Sequence, residues 1–432
     1  MKRGMDGFDL KRGELYCEDV PLGEIAAGVG TPVYVYSTAT MFRQIEALRS
    51  ALEPLDGPLI CYALKANPNP AVVQALARAG LGADVVSGGE YRRAIAAGIG
   101  PDAIVFSGVG KSEEEMRLAL GGGLFQFNLE SLEEAEMLSG VATSMGLVAP
   151  VGFRVNPDVP AGTHAKISTG AAENKFGIAI REAADAYARV SKLAGLCVQG
   201  IAVHIGSQLT SLDPLERAFS RVGKLVGTLR AAGHRIQIAD LGGGLGVPYD
   251  PDQPPPPSPA DYGAMVRRVT SGWDVQLVFE PGRLIVANAG VLLSRVIRIK
   301  PGPLHPFIIV DAAMNDLMRP ALYDAWHKID AVSPSGKRWV ANVVGPVCET
   351  GDTFATAREM DRLEAGELVV FRTAGAYAAA MSSTYNSRPL TPEVLVDGSS
   401  WVVVRPRIDV ERLACADWTG ERLSGCAGGT SG

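Results

Sequence analysis

Reactive or anion-binding residue types stand at the ends of several apolar runs in this sequence. Lys65 ends the run CYALK, Gly242–Gly244 follow IADL, and Glu280 and Arg283 belong to the segment EPGR. Consecutive glycines let backbone N–H groups approach an anion without obstruction by a Cβ atom, and a nearby arginine favours phosphate as that anion. A desolvated lysine amine can form a Schiff base with an aldehyde. A phosphate site together with such a lysine predicts pyridoxal phosphate as the cofactor.

Each of these residues also has an ordinary structural interpretation. Glu280 would face the pyridine nitrogen and keep it protonated, or it would form an ion pair with Arg283. His204 would lie against the cofactor ring, or it would be a hydrogen-bonded core histidine. Lys65 could simply extend towards solvent from a strand end, and a glycine run is often only a turn. The position of these residues at successive strand ends favours the functional interpretation.

Short apolar runs that alternate with amphipathic stretches would carry these residues. The eight runs span residues 59–65, 83–87, 103–108, 124–129, 151–156, 201–206, 238–243 and 276–282. Such near-continuous apolar runs are typical of parallel strands covered on both faces. Eight β/α units within roughly 230 residues predict a TIM-type (β/α)8 barrel, in which the strand ends would form the active site. An open doubly wound sheet is the alternative, because periodicity does not show closure.

The last third of the chain has a different pattern. After residue 283 the helical periodicity fades, and β-rich runs separated by turn signals follow, which indicates a mainly antiparallel β domain. We expect a cofactor-binding barrel over residues 36–284 and a β-rich domain formed by residues 1–35 and 285–420. Residues 421–432 are expected to be a disordered tail.

Composition excludes several classes of protein. The 432 residues carry a net charge of −6 and no dense basic stretch, so we expect neither a nucleic-acid partner nor a membrane partner. The six cysteines show neither CxxC pairs nor framework spacing, which predicts free thiols and no metal site. A cytoplasmic enzyme with a small-molecule substrate is the resulting expectation.

Motifs spread over nearly the whole chain occur together in one known family. They are YALKAN (62–67), GADVVSGGE (82–90), GFRVNP (152–157), HAKISTGAAENKFGI (164–178), HIGSQ (204–208), GGGLGVPY (242–249), EPGR (280–283), AMNDLMRPALYDA (313–325), VGPVCETGD (344–352) and GAYAAAMSSTYNSRP (375–389). On these motifs the chain resembles the fold-type III pyridoxal-phosphate decarboxylases. Thr350 departs from the family pattern, in which a serine is usual at that position.

The resemblance implies a role for each matching residue at the cofactor. Lys65 would carry the cofactor, Glu280 would pair with the pyridine nitrogen, and His204 would stack on the ring. Asp84 and Arg154 would lie near the Schiff base and the ring hydroxyl. The phosphate would be held by Ser207, Gly242, Gly243, Gly244 and Gly282, with Arg283 and Tyr377 also in reach of the cofactor.

The resemblance also implies a substrate site that two subunits share. The residues expected at the substrate are Arg283, Arg319, Tyr323, Tyr377, Cys348 and Glu349. Arg319 and Tyr323 lie four residues apart, which puts them on one face if the segment is helical. Cys348 and Glu349 would come from the neighbouring subunit of a homodimer, with Cys348 also a candidate proton donor. The alternative for Cys348 is a buried apolar residue.

The implied activity is decarboxylation of meso-2,6-diaminopimelate to L-lysine and CO2. Decarboxylases of ornithine, arginine or carboxynorspermidine are the nearest alternatives, and Arg319 argues against the first two because they read no second carboxylate of this type. An amino-acid racemase would favour a basic residue at the ring nitrogen, where Glu280 stands. A cofactor-binding protein without catalysis would need Lys65 but not the substrate residues.

Overall fold

The computed structural model describes residues 7–160, 169 and 174–417. The chain divides into two compact units, one made of the residues up to Thr40 together with those from Ala287 onward, and the other of Met41–Val286. Each unit has its own sheet and its own apolar core. The predicted disorder of the tail, residues 421–432, lies outside the described residues.

The first unit begins with a small antiparallel sheet and one strand of a larger sheet. Its elements are β1 (Phe8–Lys11), β2 (Glu14–Cys17), β3 (Val20–Pro21), α1 (Leu22–Val29) and β4 (Val33–Ser37). All five residues of β4, VYVYS, are buried, as expected for an inner strand.

The unit Met41–Val286 contains a closed ring of eight parallel strands. These strands are β5 (Leu59–Ala63), β6 (Gly82–Val85), β7 (Ile104–Phe106), β8 (Gln126–Leu129), β9 (Ala149–Asn156), β11 (Leu196–Ala202), β12 (Ile238–Asp240) and β13 (Gln276–Phe279), with β10 (Ile178–Ala179) paired to β9 outside the ring. Because β8 pairs with β9 and β13 pairs with β5, the ring is closed. The predicted (β/α)8 barrel is therefore confirmed, and the open sheet is excluded.

Helices cover the barrel strands and begin and end at sequence signals. They are α2 (Thr38–Leu52), α3 (Pro70–Arg78), α4 (Gly88–Ala96), α5 (Glu113–Gly122), α6 (Leu132–Met145), α7 (Ala183–Val190), α8 (Asp213–Ala231), α9 (Pro259–Val269) and the short α10 (Arg283–Val286). Ser112 and Glu115 form a capping box at α5, and Ser258 and Asp261 form one at α9. Gly123 ends α5 in the left-handed conformation.

Six of the eight barrel strands end earlier than the apolar runs predict, whereas β8 and β9 end where expected. β5 stops at Ala63, and Lys65 lies in the following 3-10 turn, Leu64–Ala66. β11 runs from Leu196 to Ala202, so it starts earlier than expected and stops before His204. The predicted strand bounds are wrong there, since an apolar run continues through a buried turn as readily as through a strand. Lys65 and His204 consequently stand beyond the strand ends, whereas Asp84 and Arg154 lie within β6 and β9.

The remaining chain completes a largely antiparallel sheet around β4. It contains β14 (Gly290–Lys300), β15 (Phe307–Val310), α11 (Arg319–Tyr323), β16 (Ile329–Ala331), β17 (Arg338–Val344), β18 (Thr353–Asp361), β19 (Leu368–Phe371), β20 (Glu393–Asp397), β21 (Ser400–Arg405) and α12 (Val410–Asp417). The strand order is β18-β17-β15-β14-β4-β20-β21, and β19 pairs with β14 and β16. Only the β15–β17 and β4–β20 pairs are parallel among these, which confirms a mainly antiparallel domain.

Two further expectations concern the chain as a whole. Within the described ranges, no helix combines the length and the apolar character needed to cross a bilayer. Cys17, Cys61, Cys197 and Cys348 are free thiols, as predicted.

Candidate active site

A lysine–aspartate ion pair connects the turn after the first barrel strand to the second strand, β6. Lys65 Nζ donates a hydrogen bond of 2.7 Å to Asp84 Oδ2. The Asp84 side chain is fully buried, whereas 38% of the Lys65 side chain is accessible. Asp84 Oδ1 is also buried and has no hydrogen-bond partner among the described residues. A buried acceptor without a donor is costly, so this oxygen suits a site completed by a ligand.

Two carboxyl groups, those of Asp240 and Glu280, lie at the ends of β12 and β13. Asn128 Nδ2 donates to Asp240 Oδ2 at 2.8 Å and lies 3.5 Å from Glu280 Oε1. Ser107 Oγ donates to Glu280 Oε1 at 3.3 Å, and the Gly242 N–H donates to Asp240 Oδ1 at 2.9 Å. One amide side chain therefore links two acids that are distant in sequence.

Burial of this carboxyl pair raises the pKa of both of its members. Burial raises the pKa of Glu280 well above its usual range, and the charges of Asp240 and Asp84 raise it further. Burial also raises the pKa of Asp240, but hydrogen bonds from Glu280, Asn128 and the Gly242 N–H oppose that shift. The upward shift is the stronger one at Glu280, so Glu280 is the carboxyl group whose neutral form the site favours.

His204 faces the same region as a neutral imidazole. Its Nδ1 accepts a 3.2 Å hydrogen bond from the Gly243 N–H, so this nitrogen is unprotonated. Burial lowers the pKa of His204 well below its usual value, and the positive charges of Arg154 and Lys65 lower it further. An uncharged aromatic ring at this point is suited to stacking on another ring.

The loop Gly242–Gly244 tolerates only glycine because backbone atoms approach each residue closely. A Cβ atom on Gly243 would lie 2.2 Å from the Glu280 carbonyl oxygen, and one on Gly244 would lie 2.4 Å from the Gly206 carbonyl oxygen. Gly242 and Gly244 also have φ values of +65° and +112°. The N–H groups of Gly242 and Gly243 donate within the protein, so Gly244 is the loop residue whose N–H best suits the predicted phosphate contact.

A buried arginine lies beside two hydroxyl groups next to this loop. Arg283 Nη2 donates to Ser207 Oγ at 3.0 Å, and Arg283 Nη1 donates to Tyr249 Oη at 2.5 Å. Arg283 is 7% exposed and begins α10, directly after the eighth barrel strand. A guanidinium group with adjacent hydroxyl groups is a donor set that fits phosphate oxygens.

Arg154 is held by an acid that the sequence did not single out. Arg154 Nη1 donates to Glu130 Oε1 at 3.2 Å, and Arg154 Nη2 donates to the His204 carbonyl oxygen at 3.2 Å. Its guanidinium carbon lies 4.7 Å from the centroid of the Phe176 ring. The positive charge next to His204 is thereby fixed in position.

Several polar residues of this region were missed by sequence reasoning, namely Ser107, Asn128, Glu130, Asp240 and Tyr249. Asn128 and Asp240 stand inside apolar runs that fold as buried strands. Because a polar side chain in a buried strand is the exception, that position was the signal that could have identified them. Ser107, Glu130 and Tyr249 lie in irregular segments after strands and gave no comparable signal.

The other predicted residues belong to the other unit. Arg319 is buried and Tyr323 half-buried in helix α11, which confirms that they lie one helical turn apart. Tyr377 has a left-handed backbone, with φ of +54°. Cys348 and Glu349 are exposed, so the interpretation of Cys348 as a buried apolar residue is wrong. A hydrogen bond to Glu349 raises the pKa of Tyr385.

Comparisons with known proteins agree with this geometry. The family described as "Pyridoxal-dependent decarboxylase, pyridoxal binding domain" matches residues 38–287. A diaminopimelate decarboxylase of Zymomonas mobilis is 54% identical over 411 residues, which cover 94% of this chain and 97% of the relative. The structure of diaminopimelate decarboxylase from Helicobacter pylori with L-lysine matches with a TM-score of 0.88, 39% identity, and coverage of 92% and 99%. The enzyme from M. jannaschii with L-lysine matches with a TM-score of 0.92, 33% identity, and coverage of 96% and 98%.

The chain therefore belongs to the pyridoxal-dependent decarboxylases and is an enzyme that uses pyridoxal phosphate. Within that family, the full-length relatives compared above are diaminopimelate decarboxylases. The residues at the barrel mouth fit the cofactor, since they offer an accessible amine, an unsatisfied carboxylate oxygen and a glycine loop that a Cβ atom would block.

We predict that Lys65 is the lysine that binds the cofactor covalently. The Lys65→Ala protein should form no borohydride-reducible adduct with pyridoxal phosphate and should lose at least about 1000-fold in activity, because no other amine replaces a covalent attachment point. Mass spectrometry of the reduced protein checks this result. Lys224→Ala, which changes an exposed lysine of α8, is the matched control and should label normally. Labelling of another lysine in Lys65→Ala would contradict the assignment.

We also predict a pH-dependent stability that originates at Glu280. Its raised pKa in the folded state means that folding favours the protonated form, so the cofactor-free protein loses stability as pH rises from about 4.3 towards the raised value. In Glu280→Gln this loss should be absent, and the melting temperature of the variant relative to wild type should increase with pH. Each pKa unit corresponds to about 1.4 kcal/mol.

Thermal unfolding between pH 5 and pH 8 measures this difference. The exposed Glu53→Gln is the control, and its melting curve should follow that of wild type at every pH. If the Glu280→Gln and wild-type melting temperatures changed in parallel with pH, Glu280 would not be the protonated member of the pair.

Proposed function

We propose that this chain decarboxylates meso-2,6-diaminopimelate to L-lysine and CO2. The observation that carries the proposal is an acid, Glu280, at the position expected to face the pyridine nitrogen, combined with relatives of nearly full length that act as diaminopimelate decarboxylases. When bound, pyridoxal phosphate supplies an electron sink for the electron pair left by departing CO2. An acidic partner of the ring nitrogen strengthens that sink and favours decarboxylation over racemisation.

The barrel residues then have separable tasks in the proposal. Lys65 binds the cofactor covalently, and Asp84, 2.7 Å away, orients its amine and can accept its proton. Glu280 supplies a proton on the side of the ring nitrogen, while neutral His204 covers one ring face without adding charge. Arg154, which Glu130 orients, would contact the ring hydroxyl of the bound cofactor.

A separate set of hydrogen-bond donors is proposed to bind the phosphate group of the cofactor. Ser207 and Arg283 are already hydrogen-bonded to one another, so they present a preorganised pair to the phosphate oxygens. The loop of Gly242, Gly243 and Gly244, with Gly282 on the next turn, lets backbone come close to the phosphate.

Residues of the β-rich unit are proposed to bind the substrate. Arg319 and Tyr323 bind the carboxylate at the end of the substrate that is not decarboxylated, and Glu349 contacts the ammonium group at that end. Arg283 and Tyr377 are further candidates at the substrate. Cys348, which is exposed, is a candidate donor of the proton that replaces CO2, as is Lys65.

The proposal includes a homodimer in which Cys348 and Glu349 serve the site of the neighbouring subunit. Their exposure is compatible with such a role, because a residue that completes a partner's site must lie at the surface of its own subunit. The cytoplasmic location expected from the cysteine pattern, and the lack of a nucleic-acid partner, stay predictions.

We predict that the purified chain with pyridoxal phosphate releases CO2 and L-lysine from meso-2,6-diaminopimelate.

Arg319→Lys should raise KM for diaminopimelate about tenfold or more, because an ammonium group cannot replace a bidentate guanidinium contact to carboxylate. Steady-state kinetics of CO2 release measure both effects. Arg338→Lys, at an exposed arginine of β17, is the control. Turnover of ornithine in place of diaminopimelate would contradict the proposed substrate.

We predict that inactive variants of the two subunits complement each other. Co-refolding equal amounts of Lys65→Ala and Cys348→Ala chains should restore about a quarter of wild-type activity, because half the dimers are mixed and one of their two sites is intact. Refolding each variant alone should give no comparable activity. Failure to complement, with both variants inactive and dimeric, would place Cys348 in the site of its own subunit.

A further inference from the structure

A buried histidine contacts the arginine to which the substrate carboxylate is assigned. His327 is 1% exposed and Arg319 is 5% exposed, and Arg319 Nη1 lies 2.9 Å from His327 Nε2. On the other side of the ring, His327 Nδ1 lies 2.8 Å from the carbonyl oxygen of Arg372. His327 therefore links the Arg319 side chain to the Arg372 backbone through two hydrogen bonds.

The chemistry of the two neighbours fixes the protonation of His327. A carbonyl oxygen only accepts hydrogen bonds, so His327 Nδ1 must carry a hydrogen to bond with Arg372. A guanidinium group only donates, so His327 Nε2 must offer its lone pair to Arg319. His327 is thus a neutral imidazole of defined tautomer, and it accepts a charge-assisted hydrogen bond.

Neighbouring contacts hold the imidazole in place. Arg372 Nε donates to Asp330 Oδ2 at 2.5 Å, which anchors the residue whose carbonyl oxygen bonds to His327. Arg358 Nη1 donates to the His327 carbonyl oxygen at 3.0 Å and stacks at 4.3 Å on the Trp326 ring. Both the backbone and the ring of His327 are consequently fixed, and so is the direction of its lone pair.

A hydrogen-bond acceptor that is fixed in position sets the orientation of the arginine guanidinium group. A guanidinium group binds a carboxylate through two parallel hydrogen bonds only when its plane has the correct orientation. His327 accepts a hydrogen bond from Nη1 of Arg319. This contact restricts rotation of the guanidinium plane at the end of the long arginine side chain. Orientation that is set before binding reduces the entropy lost on binding.

We propose that His327 is a positioning residue that orients Arg319 and thereby determines affinity for the carboxylate at the far end of the substrate. This inference rests on the proposed function, in which Arg319 binds that carboxylate. The competing explanation is a core histidine that only stabilises the second unit. The two explanations differ in ligand selectivity, because a purely structural residue has no reason to affect one ligand more than another.

L-lysine and cadaverine are suitable probes because they differ by a single carboxylate. In the holoenzyme, His327→Leu should weaken inhibition by L-lysine about tenfold or more and change inhibition by cadaverine less than about twofold. KM for diaminopimelate should rise, with kcat changing much less. His327→Gln, whose amide oxygen can accept at the position of Nε2, should restore most of the affinity for L-lysine.

Two controls separate orientation from stability. His234→Gln, at a partly buried histidine that packs edge-on against Tyr187 in the barrel unit, should leave both inhibition constants unchanged. If His327→Leu does not fold, His327→Asn replaces it, since the shorter amide does not reach Arg319 and should behave worse than His327→Gln. Equal weakening of both ligands, or no rescue by glutamine in a folded protein, would overturn the inference.

Failure of the proposed function gives a different result. A wild-type protein that releases no CO2 from diaminopimelate would overturn the function, whatever the His327 variants do. A wild-type protein that is active, together with variants that bind L-lysine and cadaverine as wild type does, would overturn only the role of His327.

Discussion

Asp84, Asp240 and Glu280 are all buried inside the barrel, where an uncompensated negative charge is unfavourable by several kcal/mol. The surrounding residues compensate each acid in a different way. Lys65 pairs with Asp84, and Asn128 and the Gly242 N–H donate to Asp240. The raised pKa of Glu280 favours its neutral form. The chemistry of the site follows from this division, because it sets an amine beside one acid and an acidic proton beside another.

The glycine loop depends on the same carboxyl pair. Its first N–H binds Asp240, while the loop backbone lies against the carbonyl oxygen of Glu280. Its second N–H binds His204 and fixes the ring nitrogen that lacks a proton. The glycine loop, His204, Asp240 and Glu280 are therefore parts of one hydrogen-bonded structure.

The sequence was sufficient for the architecture because each barrel strand is a short apolar run whose pattern is local. It was also sufficient to place Lys65, Asp84, His204 and Glu280 in one region, since parallel strands bring their carboxyl ends together. Lys65 and its partner Asp84 were both predicted, but the hydrogen-bond pairings of Asp240 and Glu280 were not predictable. Asn128 is 112 residues from Asp240, and Ser107 is 173 residues from Glu280, so only the closed ring brings them into contact. Strand ends were misplaced because burial continues through the turns.

The Asp84 oxygen that lacks a hydrogen-bond partner affects the stability of the folded enzyme in a cell. A chain that folds around an incomplete site gains stability whenever the molecule that completes it binds, by an amount that grows with the free concentration of that molecule. Unliganded copies spend more time open to proteases than liganded ones. The steady-state level of the folded protein is therefore expected to rise with the supply of the vitamin from which the cofactor is made.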